Sequence, residues 1–156
     1  MAGRKDPPKP LEVALQALNR REHSIAEIEA KLTERGYGPD EIEETVAELV
    51  HSHALDDGRF AHAFAADKRE LGGWGPERIA GALAQRGISE QLIAECCGGE
   101  DREALIERAS EALLERGDTL DDDRGRSRAL GFLTRRGYEY EVAYDAIRAA
   151  SRTAAG

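Results

Sequence analysis

A chain of 156 residues with 40% hydrophobic side chains, but only one tryptophan and three phenylalanines, has enough apolar material to avoid disorder. Its few large core residues suit thin helical layers better than one thick globule. The formal net charge of −9 argues against a dedicated duplex-DNA binder, which must accumulate positive charge against phosphates.

Residues 1–10, MAGRKDPPKP, carry three prolines and no periodic apolar pattern, which predicts a disordered arm. The start also lacks the apolar core of a signal peptide, and no run reaches the roughly 18 apolar residues of a membrane helix. The expectation is a cytoplasmic protein without membrane contact. A first helical repeat is expected over 11–55. Leu11, Leu15 and Leu18 mark one short amphipathic helix. Ile25, Ile28 and Leu32 mark a second, opened by Ser24 with Glu27 three places on as a capping box. Pro39 opens a third, with Ile42, Val46, Leu49 and Val50 at helical spacing. Its glutamates at 41, 43, 44 and 48 read as a solvated face.

A second repeat is expected over 56–99. Asp56 or Asp57 caps its first helix, on which Phe60 and Phe64 share a face. The turn LGGWGP follows, and Trp74 is read as packing the junction between helices. Ile79 and Leu83 line the next helix; Ser89 caps the one after it, expected to bury Leu92 and Ile93. A third repeat, 100–150, opens with Leu105, Ile106, Ala109, Ala112 and Leu113 on a helix ending at Arg116-Gly117. Residues 121–128 are read as a linker, Leu130 and Leu133 as the next helix, and Val142 and Ile147 as the last. Residues 151–156 should fray. No alternating strand pattern occurs, so the fold class is all-α: an elongated, curved, solenoid-like array of three tandem three-helix repeats.

The repeat is visible in the pairs Arg35-Gly36, Arg86-Gly87 and Arg136-Gly137, whose glycines recur at intervals of 51 and 50 residues. Leu32, Leu83 and Leu133 stand four residues before each glycine, and Tyr37, Ile88 and Tyr138 just after it. That is the pattern of a Schellman helix end, with glycine left-handed at C′ and the next residue packing back on the leucine. Twelve residues before each glycine stand Ser24, Gly75 and Gly125, read as helix N-cap or entry residues. Six before stand Ala30, Gly81 and Gly131. Glycine inside a helix costs about 1 kcal/mol relative to alanine, so this small row predicts close approach of a neighbouring helix.

Catalytic signals are absent from the sequence. His23, His51, His53 and His62 do not converge: the His-x-His pair falls on different helix faces, with no third ligand in reach. GGWGPE lacks the Gly-Lys-Ser/Thr of a phosphate loop. Cys96 and Cys97 are adjacent and point apart, as small helix residues do. The reading is a non-enzyme with no metal and no cofactor. What remains is arginine. Charge is uneven: residues 1–58 carry −6, 59–99 are neutral and 100–156 carry −3. Against that background Lys68, Arg69, Arg78 and Arg86 punctuate the middle repeat, and Arg124, Arg126, Arg128, Arg135 and Arg136 cluster in the last. These nine are the candidate partner-binding residues, meeting an acidic protein groove or a nucleic-acid backbone.

Residues 56–88, DDGRFAHAFAADKRELGGWGPERIAGALAQRGI, resemble the signature repeat of the RecX family of recombination regulators. Residues 129–147, ALGFLTRRGYEYEVAYDAI, resemble that family's C-terminal repeat, and Ser24 to Tyr37 with the following helix its N-terminal one. Phe64 stands where a tryptophan or another bulky residue is common in the family. The resemblance implies a monomeric modulator, mainly an inhibitor, of the RecA recombinase. It would bind the RecA filament on single-stranded DNA, block its extension or promote its disassembly, and so regulate recombination, DNA repair and the SOS response. Its own contact with nucleic acid would be weak or indirect. The competing expectation is a helical module that binds single-stranded DNA directly and competes with RecA for it; an adaptor for another helical filament is a third.

Overall fold

The computed structural model describes residue 3 and residues 5–156. Part of the arm expected over 1–10, namely residues 1, 2 and 4, lies outside the described residues. Nine helices and no strand occur among the described residues, so the all-α helical-repeat expectation holds. The chain divides into two compact units: the residues up to Phe60 with Arg86–Ile88, and Ala61–Gln85 with Ser89–Gly156.

The first unit packs α1 (Pro10–Arg20), α2 (Ile25–Glu34) and α3 (Pro39–His51) around Val13, Ala14, Ala17, Ile28, Leu32, Ile42, Leu49 and Leu55. The buried stripe of α1 is rotated from the one its leucines predict. Val13, Ala14 and Ala17 are buried, Leu11 and Leu18 flank the core, and Leu15 is 42% exposed. Small alanines at the contact let the helices approach, and the leucines cover the margin. On α3 Ile42 and Leu49 are buried as expected, while Val50 lies off the edge of that face and is exposed. Residue 3 and residues 5–9 are exposed, and the Tyr37 hydroxyl donates to the Pro8 carbonyl.

α4 (Asp57–Glu70) starts in this unit. Asp56 is its N-cap, accepting from the Arg59 N–H at 3.0 Å, while Asp57 reaches α2 and accepts from the Ile25 N–H at 2.8 Å. The second unit contains the remainder of α4 with α5 (Pro76–Gln85), α6 (Glu90–Cys97), α7 (Arg102–Arg116), α8 (Asp123–Arg135) and α9 (Tyr140–Ala155). Its main core gathers Ala109, Leu113, Leu120, Ala129, Leu133, Tyr138, Val142, Ala143, Ala146, Ile147 and Ala150. On α6 it is Cys96 that is buried, with Leu92 and Ile93 only partly so. The expected linker over 121–128 is mostly helix. Asp122 caps α8 by accepting from the Gly125 N–H at 2.7 Å, so Gly125 is three residues inside the helix rather than its cap.

The helix ends follow the repeat. Gly36, Gly87 and Gly137 have φ of +89°, +79° and +96°. The Tyr37 N–H donates to Leu32 O at 3.2 Å and the Tyr138 N–H to Leu133 O at 3.1 Å; Gly36 and Gly137 donate to Thr33 O and Thr134 O. These are both bonds of the Schellman motif. The row Ala30, Gly81 and Gly131 does not mark close helix approach, contrary to expectation. Ala30 and Gly81 are exposed, and nothing lies within 4 Å of a Cβ placed at Gly81. At Gly131 such a Cβ meets only Arg135 of the same helix, 3.0 Å away.

Close approach occurs instead at the C-terminal glycines. In the first unit a Cβ at Gly87 would meet the Ala26 side chain, and the Ser24 hydroxyl donates to the Arg86 carbonyl at 2.5 Å. In the second unit a Cβ at Gly137 would meet the backbone of Arg78. There the Gly75 N–H donates to Arg136 O at 2.8 Å and the Glu77 N–H to Gly137 O at 3.1 Å. In the second unit the C-terminal carbonyls of α8 thus dock onto the N-terminus of α5, where the macrodipoles attract and orphan donors find acceptors.

Candidate partner-binding surface

The nine candidate residues divide by what their side chains touch. Arg86 pairs with Glu27 at 3.0 Å and stacks over Phe60, 4.9 Å from the ring centroid. Glu27 also accepts from the Ser24 N–H at 3.1 Å. Burial works against its ionisation, but the Ser24 N–H and the Arg86 guanidinium outweigh it and hold the carboxyl below its ordinary value. Arg86 is therefore committed within its own unit.

Arg69 and Arg136 are committed too, to a polar cage beneath the turn at 71–76. Three successive carbonyls of it, those of Gly72, Gly73 and Trp74, are each taken by a side chain. Arg136 donates to Gly72 O, the Tyr138 hydroxyl to Gly73 O at 2.7 Å, and Arg108 Nε to Trp74 O at 3.2 Å. Arg108 also grips Glu100 with two parallel bonds of 3.0 Å, and Arg69 Nε stands 2.9 Å from the same carboxylate. Arg69 donates further to Cys96 O. Burial pushes the Tyr138 hydroxyl up; for Arg108 burial pulls the other way, but the bonds to Glu100 prevail and its pKa is raised. The Gly-Gly-Trp-Gly-Pro stretch is thus a turn whose acceptors are satisfied from below, a structural and not a chemical motif.

Lys68 and Arg78 flank Trp74. The Lys68 ammonium is 4.7 Å and the Arg78 guanidinium 3.9 Å from its ring centroid, and Phe64 meets it edge-on at 6.4 Å. Half-buried and tied by its carbonyl to Arg108, Trp74 packs the turn between α4 and α5, as expected. On α8, Arg126 donates to Leu120 O at 3.1 Å and pairs with Asp123.

Arg124, Arg128 and Arg135 remain. All three are exposed and have no ion pair among the described residues. At positions i, i+4 and i+11 they fall on one side of α8, away from buried Ala129 and Leu133. Gly131 belongs to the same row and leaves room for the Arg135 guanidinium to lie back along the helix.

Sequence reasoning passed over two groups. Arg108 and Glu100, the centre of the cage, carried no readable signal because their partners, each other, Arg69 and the Trp74 carbonyl, stand 8 to 34 residues away along the chain. Tyr140, Tyr144, Arg148 and Arg152 did carry one: a four-residue spacing along α9. No group of three or more His, Cys, Asp or Glu side chains among the described residues could hold a metal ion, and no described helix is long and apolar enough to cross a membrane. Burial raises the pKa of both Cys96 and Cys97, which keeps them as thiols.

Two family descriptions match the chain: "RecX, first three-helix domain" over residues 11–49 and "RecX, second three-helix domain" over residues 56–96. A protein named Regulatory protein RecX from Halorhodospira halophila is 37% identical over 146 residues, covering 92% of this chain and 86% of the relative. One of the same name from Chromohalobacter salexigens is 33% identical over 135 residues, covering 85% and 86%. Among solved structures, the crystal structure of RecX from Lactobacillus salivarius superposes with a TM-score of 0.79 at 20% identity, covering 92% of this chain and 96% of that one. A second, titled "Crystal structure of regulatory protein RecX", gives 0.75 at 23% identity over 90% and 70%.

Proposed function

From the premise that the chain belongs to the RecX family of regulatory proteins, we propose that it modulates the RecA recombinase without catalysing a reaction of its own. It binds the RecA filament on single-stranded DNA, blocks its extension or promotes its disassembly, and so restrains recombination, repair and the SOS response. The observation that carries the reading beyond the family is the row Arg124, Arg128 and Arg135, three uncompensated charges on one side of α8 in a chain of net charge −9. Such a row presents a local positive field to an acidic protein groove or to phosphates. The other candidate arginines are held by intramolecular partners.

The test is ATP hydrolysis by the cognate RecA on single-stranded DNA, titrated with this protein well below equimolar. The expected outcome is strong inhibition at low ratios, abolished when Arg124, Arg128 and Arg135 are all changed to glutamate while helicity is unchanged. Arg136 is left intact in that variant because it supports the turn at Gly72. Inhibition only near saturation of the DNA would assign the protein to strand competition instead. No inhibition at any ratio would remove the reading.

A further inference from the structure

Across α8 from the arginine row, an open groove of about 510 Å³ runs between α8 and α9. Arg126 and Leu130 line it from α8, and Tyr140, Tyr144, Arg148 and Arg152 from α9. Tyr140 and Tyr144 are 62% and 51% exposed, unusual for large aromatic side chains that support no core. Arg148 and Arg152 form no ion pair among the described residues. Of the carboxylates near the groove, Asp145 pairs with Arg102 at 2.6 Å and Asp123 with Arg126, while Glu141 and Asp145 line the other side of Tyr140 and Tyr144. No acidic residue is among the described residues lining the groove, whereas the groove beside Pro76 includes Glu77, Glu100 and Glu139.

We propose that this groove binds a single-stranded nucleic-acid segment, with bases stacking on Tyr140 and Tyr144 and phosphates meeting Arg148 and Arg152. Aromatic faces beside unpaired arginines are the two components of strand binding without base readout. The spacing selects among nucleic acids. Residues four apart on a helix are about 6 Å apart along its axis, whereas stacked nucleotides of a duplex rise about 3.4 Å per strand. Neighbouring bases of an extended strand can each take one ring, and a duplex, with its base faces covered, cannot. The two open rings also favour a base over an acidic peptide, which would use the arginines and leave the tyrosines idle. The site stands apart from the recombinase reading, since it needs only a bare strand.

The measurement is fluorescence anisotropy of a labelled single-stranded thymidine oligonucleotide of about fifteen nucleotides at low salt, with the full chain. Inorganic polyphosphate serves as a competitor that has charge and no bases. Changing Tyr140 and Tyr144 together to alanine should weaken binding by about 30-fold or more, while the double phenylalanine variant binds like the parent. Arg148→Glu with Arg152→Glu should weaken binding and flatten its salt dependence. Polyphosphate should compete far less well than the oligonucleotide. Parental affinity in the alanine variant, equal competition by polyphosphate, or no binding by the parent chain would each overturn the proposal. An alanine variant that keeps oligonucleotide binding but loses inhibition of RecA would give the groove to a protein partner and overturn it too. The RecA titration separates the two hypotheses, because it is scored on Arg124, Arg128 and Arg135.

Discussion

Gly81 lies inside α5, exposed and helical, with open space where a Cβ would stand. Gly36 and Gly137 share a left-handed backbone, but Gly36 faces open space while a Cβ on Gly137 would strike the Arg78 backbone. Three alanine substitutions therefore have three outcomes. Gly81→Ala should stabilise the protein by up to about 1 kcal/mol through helix propensity. Gly36→Ala should destabilise by about 1–2 kcal/mol, the cost of a left-handed L-residue. Gly137→Ala should cost about 3 kcal/mol or more, because strain and a backbone collision add. Urea unfolding of the three variants checks the order. The phase of these glycines was legible in the sequence, but the reason for the small residue at position 81 was not. Composition reveals that a side chain is missing, not what stands opposite it.

At the scale of the element, the start of α2 concentrates more chemistry than any other helix end in the first unit. Ser24 and Glu27 cap reciprocally, with 3.1 Å between the Glu27 N–H and the Ser24 hydroxyl, and Asp57 takes the Ile25 N–H. The capping box was readable three residues apart; Asp57 and Arg86 were not, since their contacts close loops of 32 and 59 residues. Just before the helix, buried His23 is held by Arg21 O at 2.9 Å. Burial, its largest influence, lowers its pKa from 6.5. The unfolded chain then takes up a proton near 6.5 that the folded chain refuses, so stability falls as pH drops through that value. Glu27 adds a loss of the same sign at lower pH, because its folded pKa lies below 4.5. Denaturant midpoints measured between about pH 7.5 and about pH 5.5 should fall for the parent chain and stay nearly level for His23→Gln. A parallel fall in both would remove His23 as the cause.

For the molecule as a whole, the legible part was what repeats. The helix order, the three helix ends with a left-handed glycine and the RecX resemblance all rest on patterns that one chain displays several times. Less legible was how the arginines are used. Arg69, Arg86 and Arg136 look in sequence like Arg124, Arg128 and Arg135, yet the former grip carboxylates and carbonyls and the latter face outward. Only tertiary partners 27 to 64 residues away along the chain make that distinction. A long side chain's role is set by distant backbone, and no local window contains it.

The bonds from Gly75 and Glu77 to Arg136 and Gly137 have a consequence for deuterium uptake. First-turn amides of a helix ordinarily lack an intrahelical acceptor and exchange early. Here the Gly75 and Glu77 amides are closed by carbonyls some sixty residues further on, so their clock is set by whether the end of α8 stays folded. A mild core change there, Leu133→Val, should hasten exchange at Gly75 and Glu77 although neither residue is near the substitution in sequence. Two slow amides at the head of one helix thus report the integrity of the tail of another.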